Sequence, residues 1–284
     1  MLYFSFIRGF VTKQKFFFSS FISRQNKKIT FRFSLFEKYC LPSIKNQTCH
    51  NFEWIVLIDS MTPDCFKEKI ASYQKECPQL KSVFVEPKNG WRFAEIFRTE
   101  IVKRLNAKRV ISTYLDNDDA LNFKFVEDLQ QRAATVSDGT FINYDDGFQY
   151  YADDKFMLRV HYPTNHFVSV VERGDSATLK GIFGYGGHAA IEKIKGAKIE
   201  CVKNQRMWCE VVHEKNVMND AKFLTVNMVR GEDVLRHEFA IDDKVRFGIR
   251  VYVRRFLPRY IKTFVWRMKY YIQLRINRWR NVRD

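Results

Sequence analysis

The stretch RVISTYLDNDDAL, residues 109–121, decides the fold class that we expect for this chain of 284 residues. Its first half is an apolar run typical of a buried strand, and the run leads directly into Asp116, Asp118 and Asp119. In open parallel sheets, ligands bind beyond the carboxyl ends of the strands. A buried strand that ends in three carboxylates therefore indicates an α/β protein with its functional site at this edge.

The residues before this stretch alternate between strand and helix patterns. Apolar runs predict strands at 2–7, 52–58, 81–85 and 109–115, and periodic apolar positions predict helices at 31–46, 64–76 and 91–105. Pro42 lies within the first helix and should kink it or restart it. Residues 13–30 are basic and rich in Phe without a clear period, and we expect a loop there. The alternation predicts an α/β fold with a mostly parallel sheet that helices flank.

The pattern changes after residue 121. A helix is predicted at 121–136, and short strands are predicted at 140–143, 148–151, 156–160, 167–171, 198–202 and 207–212. No linker separates two domains before residue 244. We therefore expect one domain over residues 1–243 and a separate tail over residues 244–284.

The tail carries most of the positive charge. The chain has a net charge of +16, and residues 244–284 hold 13 Arg and Lys against one acid, Asp284. From Pro258 onward, apolar residues recur every three or four positions, and Arg and Lys fill most of the remaining positions. This pattern predicts a basic amphipathic helix that lies on an anionic membrane surface. Packing of the helix on the domain, with its basic face in solvent, is the alternative.

Several classes of protein are disfavoured by the sequence. No run of 18 apolar residues predicts a membrane span, and the N-terminus lacks a signal-peptide pattern. We expect a cytoplasmic protein that is peripheral on the inner face of the cytoplasmic membrane. A basic chain with 16% aromatic residues could bind nucleic acid, but its charge is concentrated in 13–32 and 244–284 without a nucleic-acid-binding motif. We therefore expect no nucleic-acid partner.

The acidic cluster predicts a metal site. Carboxylates this close repel one another unless a cation lies between them, and oxygen ligands suit Mg²⁺ or Mn²⁺, which complete their shell with substrate phosphates. An acidic loop whose Asp119 caps the next helix is one alternative. A calcium loop is another, with Asp116, Asp118 and Glu127 as ligands, but Leu121 occupies the place that needs Gly.

Blocks along the chain resemble one enzyme family. The blocks are FSLFEKYCLPSI at 33–44, FEWIVLID at 52–59, LDNDDAL at 115–121, NHFVSVVE at 165–172 and WCEVVH at 208–213. An alternation of strands and helices that ends in D-x-D resembles the GT-A class of nucleotide-sugar glycosyltransferases. The ordered blocks resemble the putative rhamnosyltransferase family of bacteria. Tyr114 and Glu210 depart from that family, in which we expect Arg and an amide.

The resemblance implies an enzyme that transfers a sugar, which the family name suggests is rhamnose. The donor would be a nucleoside-diphosphate sugar, and the acceptor a glycan or a lipid-linked glycan of bacterial surface polysaccharide assembly. A non-catalytic scaffold of the same fold is the alternative.

The resemblance also implies the metal ligands. Asp118 would bind Mn²⁺ or Mg²⁺ directly, Asp116 would contact the metal or the ribose, and His213 would complete the metal shell. A neutral imidazole is a competent ligand for this purpose. His161 and His166 flank a Tyr-Pro turn, and we expect neither to be a ligand.

Two further groups of residues follow from the expected mechanism. Asp59 matches the position that holds the base or ribose of the nucleotide, and Arg8 and Arg92 are candidates for the diphosphate, which a guanidinium fork suits. An inverting transfer also needs a general base for the acceptor hydroxyl. The candidates are Glu172, Asp175, His188 and Glu210. Of these we favour Glu172 and His188, which fall where GT-A folds place acceptor contacts.

Overall fold

The structure is a computed structural model, and it describes residues 5–7, 14–17, 21–22, 26–163, 165–186, 188–191, 193–213, 227–229 and 233–246, with the single positions 253, 261, 268 and 272. Most of the predicted amphipathic helix from residue 258 lies outside the described residues. Within these ranges, no helix combines the length and the apolar character that crossing a bilayer requires.

Three short strands come first, and helices and strands then alternate up to the acidic turn. The elements are β1 (Ser5–Ile7), β2 (Gln14–Phe17), β3 (Phe21–Ile22), α1 (Asn26–Leu35), a π-helical turn (Phe36–Cys40), α2 (Leu41–Lys45), β4 (Glu53–Asp59), α3 (Asp64–Glu76), β5 (Leu80–Val85), a 3₁₀ turn (Pro87–Arg92), α4 (Phe93–Lys103) and β6 (Arg109–Thr113). The prediction of a loop at 13–30 is wrong. β2 pairs with β6 and β3 pairs with β4, because sheet pairing of Phe-rich segments needs no amphipathic period.

Longer strands follow the acidic turn. The elements are β7 (Ala120–Leu121), α5 (Phe125–Thr135), β8 (Thr140–Tyr151), β9 (Phe156–His161), β10 (Ser169–Arg173), a 3₁₀ turn (Ile182–Tyr185), α6 (His188–Ile191), β11 (Lys198–Val212), β12 (Asn227–Met228) and α7 (Val234–Phe239). Two pairs of predicted short strands are joined into β8 and β11. Register shifts interrupt the pairing of β11 with β8 near Arg206, which explains why the sequence pattern breaks there.

The α/β fold class is confirmed, and the sheets are mixed. In the first sheet, β3 and β5 run parallel to β4, whereas β1 is antiparallel to it. In the second sheet the order is β12-β9-β8-β10-β6-β2, and β11 pairs with β7 and β8. β8 and β9 are antiparallel neighbours joined by a short connection, and β10, which follows β9, pairs antiparallel with the other edge of β8.

Aromatic side chains fill the core beneath the acidic turn. Trp208 on β11 is fully buried, stacks on Phe167 with ring centroids 5.0 Å apart, and donates from Nε1 to the carbonyl of Tyr144. Gly147 on β8 leaves room for it, because a Cβ at this position would lie 2.2 Å from the indole ring. This packing fixes β11 against the segment that carries His166.

Helix α1, the π-helical turn and α2 form one helical segment that passes behind the acidic turn. Pro42 stands in the first turn of α2, where the predicted kink or restart is a change from the π-helical turn to α2 within one unbroken helical segment. The Cys40 thiol contacts the carbonyl of Asp116 at 3.7 Å. The segment therefore brings the end of α1 close to the acids.

Candidate active site

The acidic turn is a short link between two strands. It leaves β6 after Thr113 and enters β7, which pairs with β11 through Ala120 and Leu121. Within it, the N–H of Asp119 donates to the carbonyl of Asp116 at 3.4 Å. The N–H of Tyr114 donates to the carbonyl of Val168 at 3.1 Å, so the segment before β10 lies alongside the turn.

Asp118 lies between two donors. His213 Nε2 and Arg32 Nη1 both contact its Oδ2 atom, at 2.9 and 2.8 Å. His213 is buried and meets the edge of Phe31, with ring centroids 5.3 Å apart. Burial alone would raise the pKa of Asp118, but the His213 hydrogen bond and the Arg32 charge outweigh it and lower the pKa. Asp118 is therefore an anion inside a hydrogen-bonded group.

Asp119 meets a different pair of groups. His166 Nε2 contacts its Oδ2 atom at 2.8 Å, and the N–H of Val211 donates to its Oδ1 atom at 2.8 Å. Burial would lower the pKa of His166, but the hydrogen bond and charge of Asp119, with the charges of Asp116 and Glu210, raise the pKa to about 9. The His166 ring lies 4.1 Å from the Phe167 ring, centroid to centroid. This histidine is thus fixed in place beside Asp119, and a cation that it ligates would displace its proton.

One set of ligand atoms has the spacing of a metal site. An oxygen of Asp116, an oxygen of Asp119 and a ring nitrogen of His166 all lie within 4.8 Å of one another. Burial raises the pKa of Asp116 well above its usual range, and His166 opposes the rise only in part. Two carboxylates and one imidazole suit Mn²⁺ or Mg²⁺, so the donor set fits the expected cation.

Asn117 supports the presence of a further group at the turn. It lies between Asp116 and Asp118, it is fully buried, and neither atom of its amide has a hydrogen-bond partner among the described residues. A buried amide without a partner costs about 1–3 kcal/mol. A ligand or an ordered water at the turn would remove this cost.

Comparison with protein families gives a direct match. The model of the family described as "Putative rhamnosyl transferase" matches residues 20–223. The chain belongs to this family. Membership supports a sugar transferase as the class of activity. No curated protein matches the chain.

Two solved structures are similar to the chain. One is S. aureus TarS 1–349 in complex with UDP, with a TM-score of 0.41, 12% identity, and coverage of 61% of this chain and 56% of that chain. The other is S. aureus TarS 1–349, with a TM-score of 0.42, 11% identity, and coverage of 71% and 60%. The chain thus spans less than two thirds of either TarS chain.

The residues expected to bind nucleotide are placed as follows in this family member. Asp59 is buried at the end of β4, where its Oδ1 atom accepts the N–H of Met61 at 2.8 Å and closes the following turn. Arg92 is exposed, and its Nε atom donates to Glu95 at 2.8 Å. Arg8 lies outside the described residues. Of the expected metal ligands, the structure joins His213 to Asp118, and Asp116 lies two residues away in the same turn. The nucleotide contacts stay predictions.

Glu172 does not reach the acidic turn. It lies on β10 opposite Val110, near the start of β6, whereas Asp116 follows the end of β6. Val110 and Asp116 are six residues apart along the chain, which spans up to ~20 Å when extended. Both carboxylate oxygens of Glu172 accept backbone N–H groups, from Lys180 and Gly181 at 2.9 Å each. The geometry therefore assigns Glu172 to holding the backbone at Lys180 and Gly181, which corrects its expected role as a base.

The other favoured base cannot be placed against the site. His188 begins α6, and its side chain lies outside the described part of the chain. Glu210 is buried on β11, and its Oε2 atom accepts the Gln149 amide at 2.6 Å. Burial raises the pKa of Glu210, and the nearby His166 opposes the rise.

Sequence reasoning missed two residues of the site. His166 was expected not to be a ligand, yet it contacts Asp119 and completes the group with Asp116. Its signal was the NHFVSVVE block, in which Asn165 ties the segment to Tyr144 at 2.8 Å. Arg32 had no signal, because it is one of many basic residues near the N-terminus.

Proposed function

We propose that the chain is a GT-A-like glycosyltransferase that moves a sugar from a nucleoside-diphosphate sugar to an acceptor hydroxyl. The observation that carries the proposal is the convergence of Asp116, Asp119 and His166 within 4.8 Å at the end of a buried strand. It occurs in a chain that belongs to a family of sugar transferases. The sugar that we propose is rhamnose, after the family.

The site would hold Mn²⁺ or Mg²⁺. Asp116, Asp119 and His166 are the ligands that the geometry favours. The alternative set, Asp116, Asp118 and His213, shares Asp116, but among the described residues only the first set has its ligand atoms all within 4.8 Å of one another. A bound divalent cation acts as a Lewis acid that stabilises the leaving diphosphate.

The remaining groups of this chain orient the reactants. Asp118 holds Arg32 and His213 in place at the turn. We keep Asp59, Arg8 and Arg92 as proposed contacts of the nucleotide. For the general base we keep His188, with Glu210 as the alternative, because a base near the transferred sugar must accept the acceptor proton.

The proposed acceptor is a glycan or a lipid-linked glycan of surface polysaccharide assembly, used at the inner face of the cytoplasmic membrane. Ile261, Met268 and Ile272 are helical, and each side chain is 46–55% exposed. Their spacing in the sequence, seven and four residues, is that of one face of a helix. Together with the basic residues of 244–284, this apolar face supports attachment to anionic lipid.

A panel of nucleotide sugars tests the proposal. The full chain is incubated with each sugar nucleotide and Mn²⁺, and release of nucleoside diphosphate is measured with and without a chelator. We expect one sugar nucleotide to be hydrolysed. This hydrolysis should stop when the metal is chelated, and Asp116→Asn should abolish it. Failure of every donor to bind or react would overturn the proposal.

A further inference from the structure

We infer that Arg32 is a diphosphate-binding residue, which Asp118 and His213 position at the edge of the metal site. The inference rests on the proposed function and deepens it, because it names the residue that would contact the diphosphate of the donor. It also gives Asp118 and His213 a role other than metal ligation.

The contact of Arg32 leaves most of its guanidinium available. Only Nη1 donates to Asp118, at 2.8 Å, and Asp118 is its only acceptor among the residues that the structure describes. The Arg32 side chain is 26% exposed, whereas that of Asp118 is 9% exposed. A guanidinium has five N–H donors in a planar fork, so one contact with a buried acid leaves donors for a second anion.

The helix that carries Arg32, its neighbour Phe31 and the Asp118–His213 pair all help to fix the position of Arg32. It stands in the last turn of α1, which continues into the π-helical turn and α2 behind the acids. The preceding residue, Phe31, meets the edge of His213, and His213 Nε2 contacts the same Asp118 oxygen as Arg32. An arginine held in this way loses little conformational freedom when it binds an anion, which favours tight contact.

The chemistry of the donor calls for such a residue. A diphosphate that leaves a sugar carries more negative charge than one divalent cation neutralises, and bidentate arginine contacts suit phosphate oxygens. Asp116 and Asp119 offer the cation its ligands, and Asp118, in the same turn, holds Arg32. Together they would hold a metal–diphosphate group.

A matched arginine makes the test specific. Arg132 on α5 contacts Asp128 at 2.6 Å and is 27% exposed, close to the values for Arg32. Arg132 also contacts Glu200 on β11. Glu200 is nine residues from Cys209, and Cys209 pairs with Ala120 at the end of the acidic turn. That separation is ~30 Å of extended strand, so Arg132 cannot reach the site.

The experiment uses the full chain and inorganic pyrophosphate, which needs no knowledge of the base or sugar. Calorimetry measures pyrophosphate affinity at saturating Mg²⁺ for the wild type, R32Q, R32K and R132Q, and Mn²⁺ affinity alone for each. Circular dichroism checks that each variant is folded. We expect R32Q to weaken pyrophosphate about tenfold or more, R32K to lie between R32Q and the wild type, and R132Q to match the wild type. Mn²⁺ affinity should stay within about threefold in all four proteins.

The outcomes separate this inference from the proposed function. Wild-type pyrophosphate affinity in R32Q would overturn the role of Arg32 while leaving metal-dependent transfer in place. A parallel loss of Mn²⁺ affinity in R32Q would also overturn it, because Arg32 would then act on the metal ligands. Absence of pyrophosphate binding to the wild type with metal would contradict the proposed function itself.

Discussion

Two buried acidic centres of this protein differ in how their charge is balanced. Asp243 alone meets two cations, with Lys38 Nζ at 2.6 Å and Lys155 Nζ at 2.9 Å, and its pKa falls to about 2 because these contacts outweigh burial, which would raise it. At the acidic turn, three carboxylates share one arginine and two imidazoles, and burial raises the pKa of Asp116 well above its usual range.

The difference indicates what each centre does. The Asp243 centre is complete without any further group, and it ties the segment after α7 to the π-helical turn and to the loop before β9. The acidic turn is short of positive charge, which is costly in a folded protein unless a ligand supplies it. We therefore expect substitutions at Asp243 to change stability and substitutions at the turn to change binding.

The largest expected effect is on metal affinity at the turn. Asp116→Asn removes a proposed ligand and a poorly balanced buried charge, so Mn²⁺ affinity should fall about 100-fold or more while the melting temperature of the metal-free protein stays the same or rises. Asp243→Asn should leave Mn²⁺ affinity unchanged. Calorimetry measures the Mn²⁺ affinity of both variants, and thermal denaturation measures their melting temperatures. Equal losses of Mn²⁺ affinity in the two variants would contradict the distinction between the two centres.

The next effect separates the two histidines of the turn. His166→Gln should weaken Mn²⁺ about 10- to 100-fold, because it removes a nitrogen ligand. His213→Gln should change Mn²⁺ affinity by less than about threefold, since His213 contacts Asp118. Calorimetric titration of the two variants decides between the donor sets, and the reverse order would assign the metal to Asp116, Asp118 and His213.

A third effect concerns acid stability at Asp243. Its pKa is lowered from its ordinary value of 3.8 to about 2 in the folded protein, so its contribution of about 2 kcal/mol is complete above pH 5 and disappears as the pH falls towards 2. Denaturant unfolding of the wild type and Asp243→Asn across this range should show a difference that shrinks with acid. A difference independent of pH would show that the carboxylate charge is not the cause.

The smallest expected effect is at Glu172. Glu172→Gln replaces a carboxylate that accepts two backbone N–H groups, so stability should fall by about 1 kcal/mol. Sugar transfer per folded molecule should stay within about twofold. A 100-fold loss of turnover with normal thermal stability would restore Glu172 as the general base.

The fold was largely predictable because local patterns carry it. The runs at 52–58 and 64–76 match β4 and α3 to within a residue, and the acids at 116–119 stand directly after β6. The loop expected at 13–30 failed because its strands are determined by pairing with β6 and β4, which leaves no local period. Continuous strands such as β8 could not be seen where the pattern is interrupted.

The site was predictable only in part. Asp116, Asp118 and His213 come from blocks whose order resembles the family, and the structure joins His213 to Asp118. His166 and Arg32 reach the turn through tertiary contacts, 47 and 86 residues away along the chain, that no spacing rule describes. Glu172 was predicted for the site because it stands near the end of a strand. However, β10 is antiparallel to β6, so the end of β10 lies beside the start of β6, far from the acidic turn.

The central claim is that the acidic turn binds a divalent cation together with the diphosphate of a sugar nucleotide. Calorimetry of the full chain with a set of nucleoside diphosphates, with Mn²⁺ and with a chelator, tests it most directly. We predict that one nucleoside diphosphate binds at least about tenfold more tightly with Mn²⁺, and that Asp116→Asn removes the difference. Equal affinity with and without the metal would contradict the claim.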